Sequence, residues 1–182
     1  MKQFSKSSVQ PWGLELVNKY PLIFLEANTD NMAWALKGHI ENEDYCNLRF
    51  GFECDEGWKA HIENIARMAT EIVEYLRKSG LKNEEAYIHS CIVKEKLGGL
   101  RWQGDYVLPP LFRDLWNSYY WQEQDQSYGT CEVTGKYGKL RETRNGERAW
   151  KRTLCAEEAT KQGYDLEDWE KEKLEREKSK VD

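Results

Sequence analysis

The sequence predicts an α+β fold: a small antiparallel sheet covered by at least two helices, followed by a degenerate zinc-ribbon-like module and a charged C-terminal helix. Three observations carry this. Apolar residues alternate with period two over Cys46–Cys54, a helical stripe runs from Trp58 to Leu76, and two apolar segments flank Leu97-Gly98-Gly99. With 182 residues, 40% of them hydrophobic and 13% aromatic, the chain can bury one core plus a small appendage. Its mean hydropathy of -0.86 leaves the remainder strongly polar.

Trp12–Tyr20 reads as a short helix with Leu14, Leu16 and Val17 on its apolar side, ended by Pro21. In the strand Cys46–Cys54, the residues Cys46, Leu48, Phe50, Phe52 and Cys54 share one face. Asp55-Glu56-Gly57 breaks it, and a helix follows to about Lys78. Trp58, Ile62, Ile65, Ala69, Ile72, Val73 and Leu76 form its stripe, Asp55 its N-cap and Gly80 its terminal glycine. His61 falls on the polar flank and reads as solvated. Ala86–Lys94 and Leu100–Tyr106 read as a hairpin around the two glycines. Pro109-Pro110 opens a second helix whose Leu111, Phe112, Leu115, Trp116, Tyr119 and Tyr120 recur at helical spacing. The expected divisions are an α+β domain over 1–127, a ribbon-like module over 128–164 and a charged helix over 165–182. In the module, Arg148–Leu154 reads as a strand and Cys155–Gln162 as a short helix. Asp165–Lys180 carries only Leu166, Trp169, Lys173 and Leu174 as a regular stripe and reads as a solvated, fraying helix.

Composition narrows function. No apolar run reaches a membrane span and Met1–Gln10 lacks the apolar core of a signal peptide, so the expectation is a cytoplasmic protein without membrane partners. Five cysteines at irregular spacing read as reduced thiols, with Cys46, Cys54 and Cys91 in the core. No nucleophile triad order, zincin helix, dinucleotide loop or phosphate loop is present, and no histidine sits three or four residues from another His or Cys in a predicted helix. No catalytic residue and no cofactor are therefore expected, and the chain reads as a non-enzyme.

Cys131-x2-Thr134 and Cys155-x2-Glu158 have the spacing of a zinc ribbon, because two residues between ligands let both face one tetrahedral ion. Thr134 and Glu158 stand where two ligands belong, so these four are vestigial positions and no bound metal is expected. Val133, Tyr137, Leu140, Trp150 and Leu154 are then expected to hold the module together by packing. Thr130–Leu154 also carries seven basic residues against three carboxylates, while the whole chain has a net charge of -5. Arg141, Arg144 and Arg152 are accordingly candidates for contact with a phosphate backbone.

Cys54-Asp-Glu-Gly-Trp58, Val93-Lys-Glu-Lys-Leu-Gly-Gly-Leu-Arg-Trp102, Tyr128–Gly135 and Trp150–Ala159 together resemble a family of small tailed-phage and prophage proteins. That family has a D-x-G-W helix start, a K-E-K-F-G-x-L-R-F hairpin and a four-ligand zinc ribbon. The likeness covers about Cys54 to Ala159, and the chain departs from it at Leu97, where Phe is usual, and at the two missing ligands. It implies phage origin and action in the host bacterial cytoplasm, but no reaction.

On the hairpin, Lys94, Glu95, Lys96 and Arg101 read either as an internal pairing of Glu95 with Lys96 or Arg101, or as a contact surface. Trp102, Trp121, Tyr128, Trp150 and Trp169 are candidate exposed anchors. The first functional expectation is an accessory factor that binds a host protein, one belonging to antiviral defence, through Lys94, Glu95, Lys96, Arg101, Trp102 and Trp150. The alternative is nucleic-acid binding through the basic module, and a third reading is an immunity protein that neutralises a toxin.

Overall fold

The computed structural model describes residues 10–24, 51–142 and 151–179. The elements, in chain order, are α1 (Pro11–Lys19), a 3₁₀ turn (Glu56–Trp58), α2 (Lys59–Lys78), β1 (Tyr87–Lys96), β2 (Gly99–Val107) and α3 (Pro110–Ser127). Then come β3 (Lys139–Glu142), β4 (Lys151–Leu154), α4 (Ala156–Lys161) and α5 (Asp168–Lys178). The α+β class stands as expected. Among the described residues no helix is long and apolar enough to cross a membrane.

The long helix α2 is the spine. Ile62, Ile65, Ala66, Ala69 and Val73 are fully buried, and its end is closed by a Schellman pair, Leu81 N–H to Leu76 O at 3.2 Å and Gly80 N–H to Arg77 O at 3.0 Å. Its start departs from expectation. Asp55 makes no side-chain cap, and the first turn is a 3₁₀ segment ending at the fully buried Trp58. In α1, Trp12, Leu16 and Val17 are buried, whereas Leu14 faces outward. Trp12 stacks on Phe52 with ring centroids 5.1 Å apart.

β1 and β2 pair antiparallel from Tyr87↔Val107 to Lys96↔Gly99, with an irregularity between Ser90 and Ile92. The loop is two residues long, Leu97 and Gly98, with φ of 56° and 80°. Two left-handed residues in a two-residue loop make the type I′ turn that matches strand twist. Gly98 is suited to it, while Leu97 holds a conformation that L side chains rarely adopt. Of the strand expected over Cys46–Cys54, residues 46–50 lie outside the described set. In what remains, Phe52 and Cys54 face inward and Glu53 outward. Glu53 joins β1 in parallel, donating its N–H to Val93 O and accepting from Glu95 N–H, both at 2.9 Å.

Two apolar clusters result. The larger gathers α1, α2, the β1–β2 hairpin and Trp116 of α3. The smaller consists of Cys131, Leu154, Cys155, Ala159 and Tyr164, with Val133 and Leu166 packed on it. This corrects the expected module packing: Tyr137 and Leu140 are exposed, and Trp150 lies outside the described residues. The C-terminal helix is also not merely solvated. Glu170 of α5 is buried in a two-pronged pair with Arg141, at 2.7 and 3.0 Å.

Candidate functional site

The first ligand-spaced pair folds as a knuckle. Cys131 N–H donates to Lys136 O at 2.7 Å and Gly135 N–H to Cys131 O at 2.9 Å, with Gly135 at a φ of 71°. Cys155 sits at the β4–α4 junction, and the Thr134 hydroxyl lies 3.7 Å from its sulfur. Burial pushes the Cys131 thiol up, but hydrogen bonds from the Thr134 side chain and from the N–H groups of Cys155, Thr134 and Val133 outweigh it and lower its pKa. Cys131, Cys155 and Thr134 thus meet. Glu158 does not complete the set, because its carboxylate is held by Lys161 at 2.6 Å and by Gln162 at 3.5 Å. Among the described residues no group of three or more His, Cys, Asp or Glu is placed to hold a metal ion. Two thiols and a neutral hydroxyl do not fit the closed tetrahedral zinc site that the family resemblance implies.

A polar seam ties this knuckle to α2 and the hairpin. Arg152 donates to Glu132 at 2.9 Å, to Asp55 at 2.6 Å and to Gln162 at 2.8 Å. Burial raises the Glu132 pKa, with Arg152 acting against the rise. The guanidinium itself is raised, burial being outweighed by Glu132 and Asp55. Trp58 donates its indole N–H to Thr130 O at 2.8 Å, and the Thr153 hydroxyl donates to Gly98 O at 2.6 Å. A Cβ on Gly57 would overlap the carbonyl oxygens of Cys131 and Glu132, so glycine here is a condition of docking.

His61 is buried, not solvated. Its Nδ1 lies 2.8 Å from Glu123 Oε2 and its Nε2 2.9 Å from Thr130 Oγ1, while Asn64 donates to the other Glu123 oxygen at 3.2 Å. Nucleophile, imidazole and carboxylate in this order have the connectivity of a hydrolytic triad. The Thr130 hydroxyl also lies 3.1 Å from Gln126 O, and the group joins α2, α3 and the knuckle as a strut. Sequence reasoning missed it because its members come from three separate segments.

The sequence-predicted contact residues divide. Lys96 is exposed and Lys94 half-buried on β1. Glu95 pairs with neither Lys96 nor Arg101; its carboxylate accepts the Gly98 N–H at 2.5 Å and so braces the turn. Arg101 donates to Tyr128 Oη at 2.7 Å and lies over that ring. Trp102 is only 7% exposed, between Phe24 and Trp116, so it is a core residue and not a free anchor. Trp150 and Arg144 lie outside the described residues. Arg141 is 7% exposed and also donates to Leu154 O and Asp165 O. With Arg152 likewise engaged, two of the three arginines proposed for phosphate contact are committed within the protein.

The exposed apolar surface is elsewhere. On α3 only Trp116 among the six stripe residues is buried, because the helix leans on α2 and β2 along one narrow line. Leu111 is 76% and Leu115 47% exposed, and Tyr75 of α2, 60% exposed, lies against Phe112 of α3 with ring centroids 5.6 Å apart. On its other flank Trp121, 55% exposed, borders a groove of about 210 Å³ shared with Tyr120, Trp116, Trp102 and Tyr106. Compared with family models, curated proteins and solved structures, the chain matches none.

Proposed function

We propose that this protein works by binding another protein through the exposed face of α3, as a phage-derived accessory factor whose partner is a host protein in the bacterial cytoplasm. The observation that carries this reading is the set of apolar side chains left in solvent on α3, Leu111 and Leu115 on one flank and Trp121 on the other. Apolar residues scattered singly need no explanation, but an exposed tryptophan bordering an aromatic groove, on a helix that leaves two leucines in solvent, has the composition of an interface core. A groove of about 210 Å³ is the size of one large side chain, which suits a single buried anchor from the partner.

The phage assignment and the link to antiviral defence rest on the hairpin and knuckle motifs, and a non-catalytic role rests on the absence of any sequence motif for chemistry. Nucleic-acid binding is the weaker reading, since Arg141 and Arg152 face carboxylates of their own chain. The test is capture from host lysate by immobilised wild-type protein and by an L111D/L115D variant whose circular dichroism is unchanged. A stoichiometric protein held by the wild type and lost by the variant supports the reading. Equal recovery from both, or none from either, removes it.

A further inference from the structure

We propose that Cys131 and Cys155 form a binding site for one soft, two-coordinate monovalent cation of the Cu(I) class. The proposal is independent of the partner-binding reading. Its basis is the meeting of two thiols from separate segments, one in the knuckle and one at the β4–α4 junction. The two cysteines share one buried cluster, and the Thr134 hydroxyl of the Cys131 knuckle reaches the Cys155 sulfur at 3.7 Å.

Coordination number selects the ion. Zinc, calcium and magnesium need four to eight donors, and the knuckle offers two sulfurs and a neutral hydroxyl. The nearest carboxylate in sequence, Glu158, is engaged by Lys161 and Gln162. Leu154 and Ala159, fully buried in the same cluster as the thiols, supply no further ligand. A filled-shell monovalent ion with two thiolates in line needs nothing more, and thiolate softness favours Cu(I).

Access fits as well. Cys155 lines a cleft of about 320 Å³ between the knuckle and α5, together with Lys136, Glu157 and Trp169. Binding converts two S–H groups and one M⁺ into an S–M–S unit of charge -1 and two protons released to solvent, with no change of oxidation state. Lys136, on the same cleft as Cys155, is itself paired with Glu157 at 3.1 Å, so the anionic unit would stand at a cleft with mixed charge.

The test offers full-length apo-protein Cu(I) under argon as its bathocuproine disulfonate complex, following loss of the chelate colour and counting bound copper by native mass spectrometry. The wild type and the single variants C46S, C54S and C91S are each expected to withdraw about one copper per chain. C131S and C155S, checked as folded by circular dichroism, are expected to withdraw none. The proposal is overturned if the wild type withdraws no copper, if C131S and C155S withdraw as much as the wild type, or if Zn(II) binds at the same stoichiometry with equal resistance to chelator. The wild-type titration decides the matter even if a cysteine variant fails to fold.

Discussion

Arg152 illustrates how much one side chain can connect: its guanidinium reaches Asp55, Glu132 and Gln162, which come from the start of α2's 3₁₀ turn, the knuckle and the end of α4. Removing it leaves Glu132 buried without its cation, a change that costs about 3 kcal/mol when a buried pair is broken. R152A should therefore lower the urea midpoint, and the loss should depend on pH. Burial raises the Glu132 carboxyl, so the penalty is relieved as that group protonates; the deficit should be smaller at about pH 5 than at about pH 8. Equal losses at both would show that Arg152 acts by packing alone. The His61–Glu123–Thr130 strut makes a parallel case. E123A leaves a buried imidazole nitrogen and the Asn64 amide unpaired, for an expected loss of about 1–3 kcal/mol by denaturant titration, whereas the same change at exposed Glu71 should cost little.

Among the elements, the β1–β2 turn and α5 carry the clearest expectations. Leu97 holds a φ of 56° with its side chain largely in solvent, so L97G should remove strain at small loss of contact. A gain of about 1 kcal/mol in stability is expected from thermal melts, and a loss would mean that the leucine side chain packs in solution. For α5 the anchor is the Arg141–Glu170 pair. Arg141 holds the Glu170 carboxyl below its ordinary 4.5. A depressed carboxyl contributes its full stability above that value and loses it as pH falls through the lowered one. Acid should thus release α5 before the main core melts, read as a change in Trp169 fluorescence, and E170Q should show the released signal already at neutral pH. In the knuckle, metal analysis of protein purified without chelator should return well under one zinc per chain, because Cys131 and Cys155 are joined by a hydroxyl and not by two further strong donors.

For the molecule as a whole, the question is whether two apolar clusters unfold as one. The seam of Trp58 to Thr130, Thr153 to Gly98 and Arg152 to Asp55 crosses between them, and Gly57 lets the backbones touch. Circular dichroism and tryptophan fluorescence should therefore report one coincident transition in the wild type. G57A places a methyl against two carbonyl oxygens and should separate the transitions, with the knuckle melting first. Coincident curves in G57A would show that the seam gives way without losing cooperativity.

Local patterning alone was enough to establish the α+β class, the α2 stripe with its Gly80 terminus, a hairpin turning within Leu97-Gly98-Gly99 (though on Leu97 and Gly98, not on the two glycines) and the knuckle spacing around Cys131 and Cys155. Each of these is written in residues a few positions apart, where period and turn chemistry act directly. What patterning could not reach was which side of a residue would be covered. The α3 stripe read as core because its spacing is helical, yet spacing is silent on how wide a face the neighbouring layer covers; only Trp116 met it fully. Trp102 went inward and Trp121 outward for the same reason. Arg141 and Arg152 read as a basic surface until Glu170, Asp55 and Glu132 arrived from distant segments to take them. His61 was isolated in sequence and became the centre of a buried network in space. Burial and charge pairing are decided between segments far apart in the chain, so only the tertiary structure could assign them.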